Sequence, residues 1–182
     1  MSRIRWGRCP EVRPGAEEAL TPRQAQALAH LRAAGCLTSG LLADLLGVDK
    51  PRARRVLISL RNRGLAVRAE LRLRVRGRSK WVRVWFPSDR PRPEGAAEAE
   101  RALVMGLVYA VIARERPEWR AEPEHGRIVK PDGSEIRVAV GAEGAADLRV
   151  LREDDPVPAG RFARAEELWA TRRLRVYEAQ AK

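Results

Sequence analysis

Residues 50 to 83 hold thirteen Arg or Lys side chains and a single acid, Glu70, giving a formal charge of +12 that equals that of the whole chain. Cations at this density suit one kind of chemistry. They displace the condensed counterions of a polyanion and hold its phosphates. Composition alone does not produce the cluster, because residues 94 to 182 share the same Ala, Arg, Gly and Pro bias yet carry 15 basic against 17 acidic residues. A solvated basic face and an acidic protein partner are the competing readings of such a run. The segregation of charge favours nucleic acid.

The second chemistry to weigh is metal-assisted phosphodiester cleavage, which needs clustered carboxylates around a divalent ion that activates water. Pro131-Asp132 and Asp147-Leu148-Arg149 imitate the spaced acid, acid and lysine of a restriction-endonuclease core. Arg149 stands where the lysine is needed, and a guanidinium does not give up its proton at working pH. Pro131-Asp132-Gly133 between two alternating strands also reads as an ordinary hairpin turn. His125 is isolated, and no Ser or Cys nucleophile has a base that the sequence places beside it. Cys9 and Cys36 offer neither a disulfide framework nor a zinc site. The expectation is therefore a non-enzyme without metal or cofactor. A metal-dependent nuclease-like protein with a degenerate C-terminal domain is the alternative.

At 182 residues and 45 % hydrophobic content, the chain can pack one ordinary domain or two small ones. No apolar run follows the basic start Met1 to Arg8, so no secretory signal is expected. The longest apolar run, Ala102 to Ala113, falls well short of the roughly 20 residues that span a bilayer. A cytoplasmic protein without membrane contact is expected.

Residues 1–20, with Pro10, Pro14 and Gly15 and no hydrophobic period, read as a basic flexible arm. Arg3, Arg5 and Arg8 could lie along a phosphate backbone or in a minor groove, with Trp6 stacking. Thr21-Pro22-Arg23-Gln24 starts a helix by capping box and N-terminal proline, and Ala25, Leu28, Ala29 and Leu31 supply its buried face as far as Gly35. Thr38 caps a short second helix, and Asp49 caps a third.

In the third helix Ala53, Val56, Leu57 and Leu60 form one apolar stripe, while Arg55, Ser59 and Asn62 point away and Arg52 and Arg54 flank it. Ile58 also points outward. A thymine methyl, the hairpin or a partner subunit could receive it. Leu65 to Val75 and Lys80 to Phe86 alternate as two strands of a hairpin with a basic tip, Arg76-Gly77-Arg78-Ser79.

Three prolines and a glycine between Pro87 and Gly95 mark a linker. A mostly apolar helix then runs from about Ala96 to Arg116, followed by short strands at 127–130, 135–140 and 148–151. A last helix, from about Arg161 to Ala179, would dock through Phe162, Ala165, Trp169 and Val176. The chain thus divides into an arm at 1–20, a DNA-binding domain at 21–87, a linker at 88–97, and an α+β domain at 98–182 for oligomerisation, sensing or partner binding.

Three helices and a hairpin, with a third helix basic outside and apolar inside, resemble the winged helix-turn-helix superfamily over about residues 20 to 87. The turn Gly47-Val48-Asp49 and the stretch Arg63-Gly64-Leu65-Ala66-Val67 carry that resemblance. The fold expected is α+β, an N-terminal winged helix-turn-helix followed by a small α+β domain. The resemblance implies double-stranded DNA as partner, with the third helix in the major groove and the wing tip on adjacent backbone. Arg52, Arg55 and Ser59 would then read bases, an arginine fork matching guanine O6 and N7. Lys50, Arg54, Arg76, Arg78 and Lys80 would hold phosphates, with Asn62 and Arg74 completing the interface.

The whole chain also resembles, more weakly, the replication-relaxation family of plasmid and mobile-element proteins. Leu20-Thr21-Pro22-Arg23, Glu100-Arg101-Ala102-Leu103, Trp119 and Pro131-Asp132 carry this likeness, which implies work in plasmid replication, mobilisation or its control. Regulation of transcription is the other expectation. There a homodimer would pair the Leu103–Ala113 helix across a two-fold axis. That helix could equally be the core of its own domain.

Overall fold

The computed structural model describes residues 3–8, 10–75, 78–143, 145–152 and 154–180. In chain order these form β1 (Arg3–Trp6), α1 (Pro22–Ala34), α2 (Ser39–Leu46), α3 (Lys50–Asn62), β2 (Ala66–Val75), β3 (Arg78–Pro87) and α4 (Ala96–Glu115). Then follow β4 (Arg120–Glu122), a 3-10 turn, β5 (Arg127–Val129), β6 (Glu135–Val140), β7 (Leu148–Leu151), β8 (Gly160–Arg164), α5 (Ala165–Thr171) and β9 (Tyr177–Ala179). The class is α+β. One sheet has the order β1-β2-β3 and the other runs β4 to β9 in sequence order.

The first three helices start where a side-chain oxygen can satisfy a free amide. Thr21 Oγ1 accepts from Gln24 N, and the Gln24 side chain accepts from Thr21 N at 2.9 Å, closing the capping box. Thr38 accepts from Leu41 N at 3.2 Å and Asp49 from Arg52 N at 2.6 Å. In α3, Ala53, Leu57 and Leu60 are buried as the stripe predicts. In α1 the buried face is Ala27, Leu28, Leu31 and Ala34, and Ala25 and Ala29 are exposed instead. Alanines on every side give that helix no strong stripe, so contacts with α2, α3 and α4 decide its rotation. Backbone hydrogen bonds between Leu37 and Trp85, at 3.0 and 2.8 Å, tie the α1–α2 connection to the hairpin.

The described residues among 1–20 depart from the flexible arm expected. Arg3–Trp6 pair antiparallel with β2, Arg3 opposite Arg72 and Trp6 opposite Ala69. Gly7 N then donates to Arg68 O at 2.8 Å, Ala16 is buried, and Arg32 clamps both Glu17 at 2.5 Å and Asp89 at 2.7 Å. The cause is non-local. The otherwise unpaired edge of β2 offers a row of backbone groups, which four alternating residues can satisfy.

The segment after Pro87 is irregular, as its prolines require, but it does not separate two cores. The largest buried cluster holds Leu31, Leu41 and Leu42 from before it together with Leu107, Ile112, Ile128 and Val150 from after it. A second cluster sets Ala69, Leu71, Val84 and Phe86 of the hairpin against Ala99 and Leu103 of α4. Gly106 of α4 lies against the Cys36 backbone, and His30 Nδ1 of α1 sits 2.9 Å from the Tyr109 hydroxyl of α4. The apolar surface of α4 is therefore covered within its own chain. The pairing of this helix across a two-fold axis is corrected accordingly, since a partner would find no bare apolar face there.

In the second sheet β6, β7 and β8 run parallel to one another, whereas the flanking pairs are antiparallel. The single C-terminal helix expected over 161–179 is instead β8, the short α5 and β9. Phe162 and Tyr177 sit opposite each other on β8 and β9 with ring centroids 5.5 Å apart, and Arg172 in a left-handed conformation ends α5. Val176 is exposed, while Ala165 and Trp169 do pack inward. Pairing at the sheet edge outweighs the helical propensity of this Arg- and Glu-rich stretch.

Candidate nucleic-acid interface

The solvent side of α3 is held by its apolar side. Ala53, Leu57 and Leu60 fix the rotation of the helix, so Lys50, Arg52, Arg54 and Arg55 all reach solvent. Among the described residues none of these four cations forms an ion pair with a carboxylate. The first turn contains no acid apart from the Asp49 cap. Cations at the positive end of a helix dipole oppose local stability by about 0.3–1 kcal/mol each. The open face of α3 therefore carries a positive potential that no described carboxylate neutralises.

Further along α3 the surroundings change. Arg55, Ser59 and Asn62 line a cleft of about 600 Å³ whose other wall is residues 13–19. Ser59 is half-buried, and its hydroxyl accepts from Gln24 Nε2 at 2.8 Å. Asn62 accepts from Arg61 at 2.9 Å. Ile58 packs against the core and borders the same cleft, so its outward position is explained by packing rather than by a thymine methyl. Of the expected set on α3, Lys50, Arg52, Arg54, Arg55 and Asn62 are exposed, and Ser59 alone is half-buried and engaged by another helix.

On the hairpin, Arg78 and Lys80 are exposed. Arg74 is exposed too, but it is drawn toward the C-terminal half by an ion pair with Asp154 at 3.2 Å. Arg76 lies outside the described residues. Trp6, expected to stack on a ligand, is half-buried 5.1 Å from the Phe86 ring with the Arg92 guanidinium over it. Sequence reasoning put Arg3 and Arg5 on a flexible arm and missed the second basic surface that they share with Arg72 and Arg83, the outer side of β1-β2-β3. The signal was the alternation Arg3-Ile4-Arg5-Trp6, four residues long and meaningful only once β2 is known to be its neighbour.

The carboxylates weighed for metal chemistry have structural partners. Asp132 Oδ1 accepts from the Ser134 hydroxyl at 2.7 Å and from Ser134 N at 2.9 Å, which fixes the β5–β6 turn and holds the carboxyl below its usual range. Asp147 is likewise held low by hydrogen bonds from Arg137. Arg149 donates to the carbonyls of Ala142 and Glu143 at 2.9 Å each. Among the described residues no group of three or more His, Cys, Asp or Glu is placed to hold a metal ion. No described helix is long and apolar enough to cross a membrane.

A comparison with known proteins gives no relative to argue from: no family model, no curated protein and no solved structure matches this chain.

Proposed function

We propose that the chain is a double-stranded DNA-binding protein of winged helix-turn-helix type that regulates transcription or the replication of a plasmid or mobile element. The observation that carries the reading is the open face of α3, where Lys50, Arg52, Arg54 and Arg55 stand exposed and unpaired with carboxylates among the described residues, on a helix whose other side is locked in the core. A single α-helix fits the major groove, which is about 12 Å wide. Arg52 and Arg55 read base edges there, and Lys50 and Arg54 hold phosphates on either side. Arg78 and Lys80 at the end of the hairpin bind backbone farther along the duplex. The Leu37–Trp85 hydrogen bonds support this arrangement, because they fix the hairpin relative to the helices that carry α3.

Selection of bound sequences from a random duplex pool, followed by anisotropy titrations, tests the reading. Affinity falls with salt on a log-log slope of about −0.9 per phosphate neutralised. Arg52→Ala with Arg55→Ala flattens the preference among sequences, each lost guanine contact removing about 1–3 kcal/mol of discrimination. Arg78→Ala with Lys80→Ala weakens all duplexes alike. Identical behaviour of the two double variants, or no duplex binding at low salt, refutes the assignment.

A further inference from the structure

The antiparallel register places side chains of β1, β2 and β3 in cross-strand rows on the side of the sheet turned away from α4. One row is Arg3, Arg72 and Trp81, and the next is Arg5, Glu70 and Arg83. The opposite side is accounted for, since Ala69, Leu71, Val84 and Phe86 pack on α4. On the outer side Glu70 engages Arg83 at 3.4 Å, whereas among the described residues no carboxylate pairs with Arg3, Arg5 or Arg72. Trp81 is 42 % exposed, one of few large apolar side chains left in solvent. The Arg5 guanidinium lies 4.4 Å from the centroid of its ring, bringing together a cation and an aromatic face.

We infer that this sheet face is a binding surface for single-stranded DNA, with Trp81 as the base-stacking platform and Arg3, Arg5 and Arg72 as the cations that follow the backbone. Unpaired arginines on the face select a polyanion, and an exposed indole beside them selects one with π-faces to stack. A base has such a face whatever its identity, so stacking of this kind tolerates any sequence.

Size decides between a single strand and a duplex. Three strands about 4.8 Å apart span roughly 10 Å between their outer backbones before side chains are added. Once the radii and side chains of the two outer strands are added, the sheet is wider than the single helix, about 10–12 Å across with its side chains, or the two-stranded ribbon that a major groove about 12 Å wide admits. A flat strand of nucleotides has no such limit. The surface is separate from the exposed side of α3, so the inference adds to the duplex reading and does not depend on it.

Titration of the full chain with a fluorescein-labelled oligothymidylate of about twelve nucleotides tests it. Trp81→Ala weakens this complex by about fivefold or more, and Trp81→Phe restores most of the loss. Arg3→Ala with Arg5→Ala lowers the log-log salt dependence by about 1.4, two contacts at about 0.7 each for a single strand. Both variants keep wild-type affinity for duplex, and Arg52→Ala with Arg55→Ala keeps wild-type affinity for oligothymidylate. Far-ultraviolet circular dichroism confirms that each variant is folded, and the β1 variants repeat the test away from the hairpin. Absence of oligothymidylate binding at low salt, an unchanged affinity in Trp81→Ala, an equal loss on duplex, or tighter binding of oligouridylate each overturns the inference.

Discussion

Replacing Gly106 by Ala puts one methyl group where α4 crosses the α1–α2 connection. A Cβ on Gly106 would overlap the Cys36 carbonyl oxygen outright, with the Cys36 carbonyl carbon at 3.0 Å and the Ala34 oxygen at 3.5 Å. The obstructing atoms are backbone, so no side chain can swing aside, and Cys36 itself is fully buried beside the Leu37–Trp85 hydrogen bonds. Overpacking of this kind costs about 1–3 kcal/mol, and the rigid neighbour puts it at the top of that range. The gain in helix propensity from Gly to Ala offsets about 1 kcal/mol. A net loss of about 2 kcal/mol lowers Tm by roughly 4–8 °C in a chain of this size. Urea titration followed by both circular dichroism and tryptophan fluorescence reads the loss. The two probes move together, because Gly106 joins parts of one core. A variant that melts at or above the wild-type temperature, or that loses stability in one probe alone, refutes the reasoning.

Three further outcomes follow from the same packing. Burial between α1 and α4 holds His30 below its ordinary 6.5, so the unfolded chain takes up the proton first as pH falls. The stabilisation from neutral His30 is full above 6.5 and is lost as pH drops through the window below it; His30→Asn therefore shows a smaller fall in urea stability between about pH 7.5 and 5.5 than the wild type, and an equal fall counts against the assignment. Thr21→Ala breaks the capping box of α1 and costs about 1 kcal/mol, read in the same titration. Supercoiled plasmid incubated with magnesium or manganese stays intact, because Asp132 and Asp147 are engaged by Ser134 and Arg137; cleavage that Asp132→Ala abolishes would overturn the non-enzymatic reading.

Local chemistry carried most of what could be read in advance. Thr21, Thr38 and Asp49 cap the helices they were expected to cap, α4 starts at Ala96, and Pro131-Asp132-Gly133 turns between strands. Such features depend on residues a few positions apart. What stayed hidden depends on neighbours distant in sequence: β1 needs the edge of β2, β8 needs β7, and the rotation of α1 needs α4. The interface followed the same division. The outward cations of α3 were legible from a 3.6-residue period, whereas the shelter of Ser59 by Gln24 and the row Arg3–Arg72–Trp81 arise only when remote segments meet.

Because α4 covers the inner side of the hairpin sheet, the first half of the chain has no finished surface of its own. Residues 1–87 fused to a foreign sequence would carry Ala69, Leu71, Val84 and Phe86 bare to water, and the remainder would lose the helices that cover Leu107 and Ile112. Separation at the proline-rich joint therefore yields two sticky fragments, not two exchangeable modules.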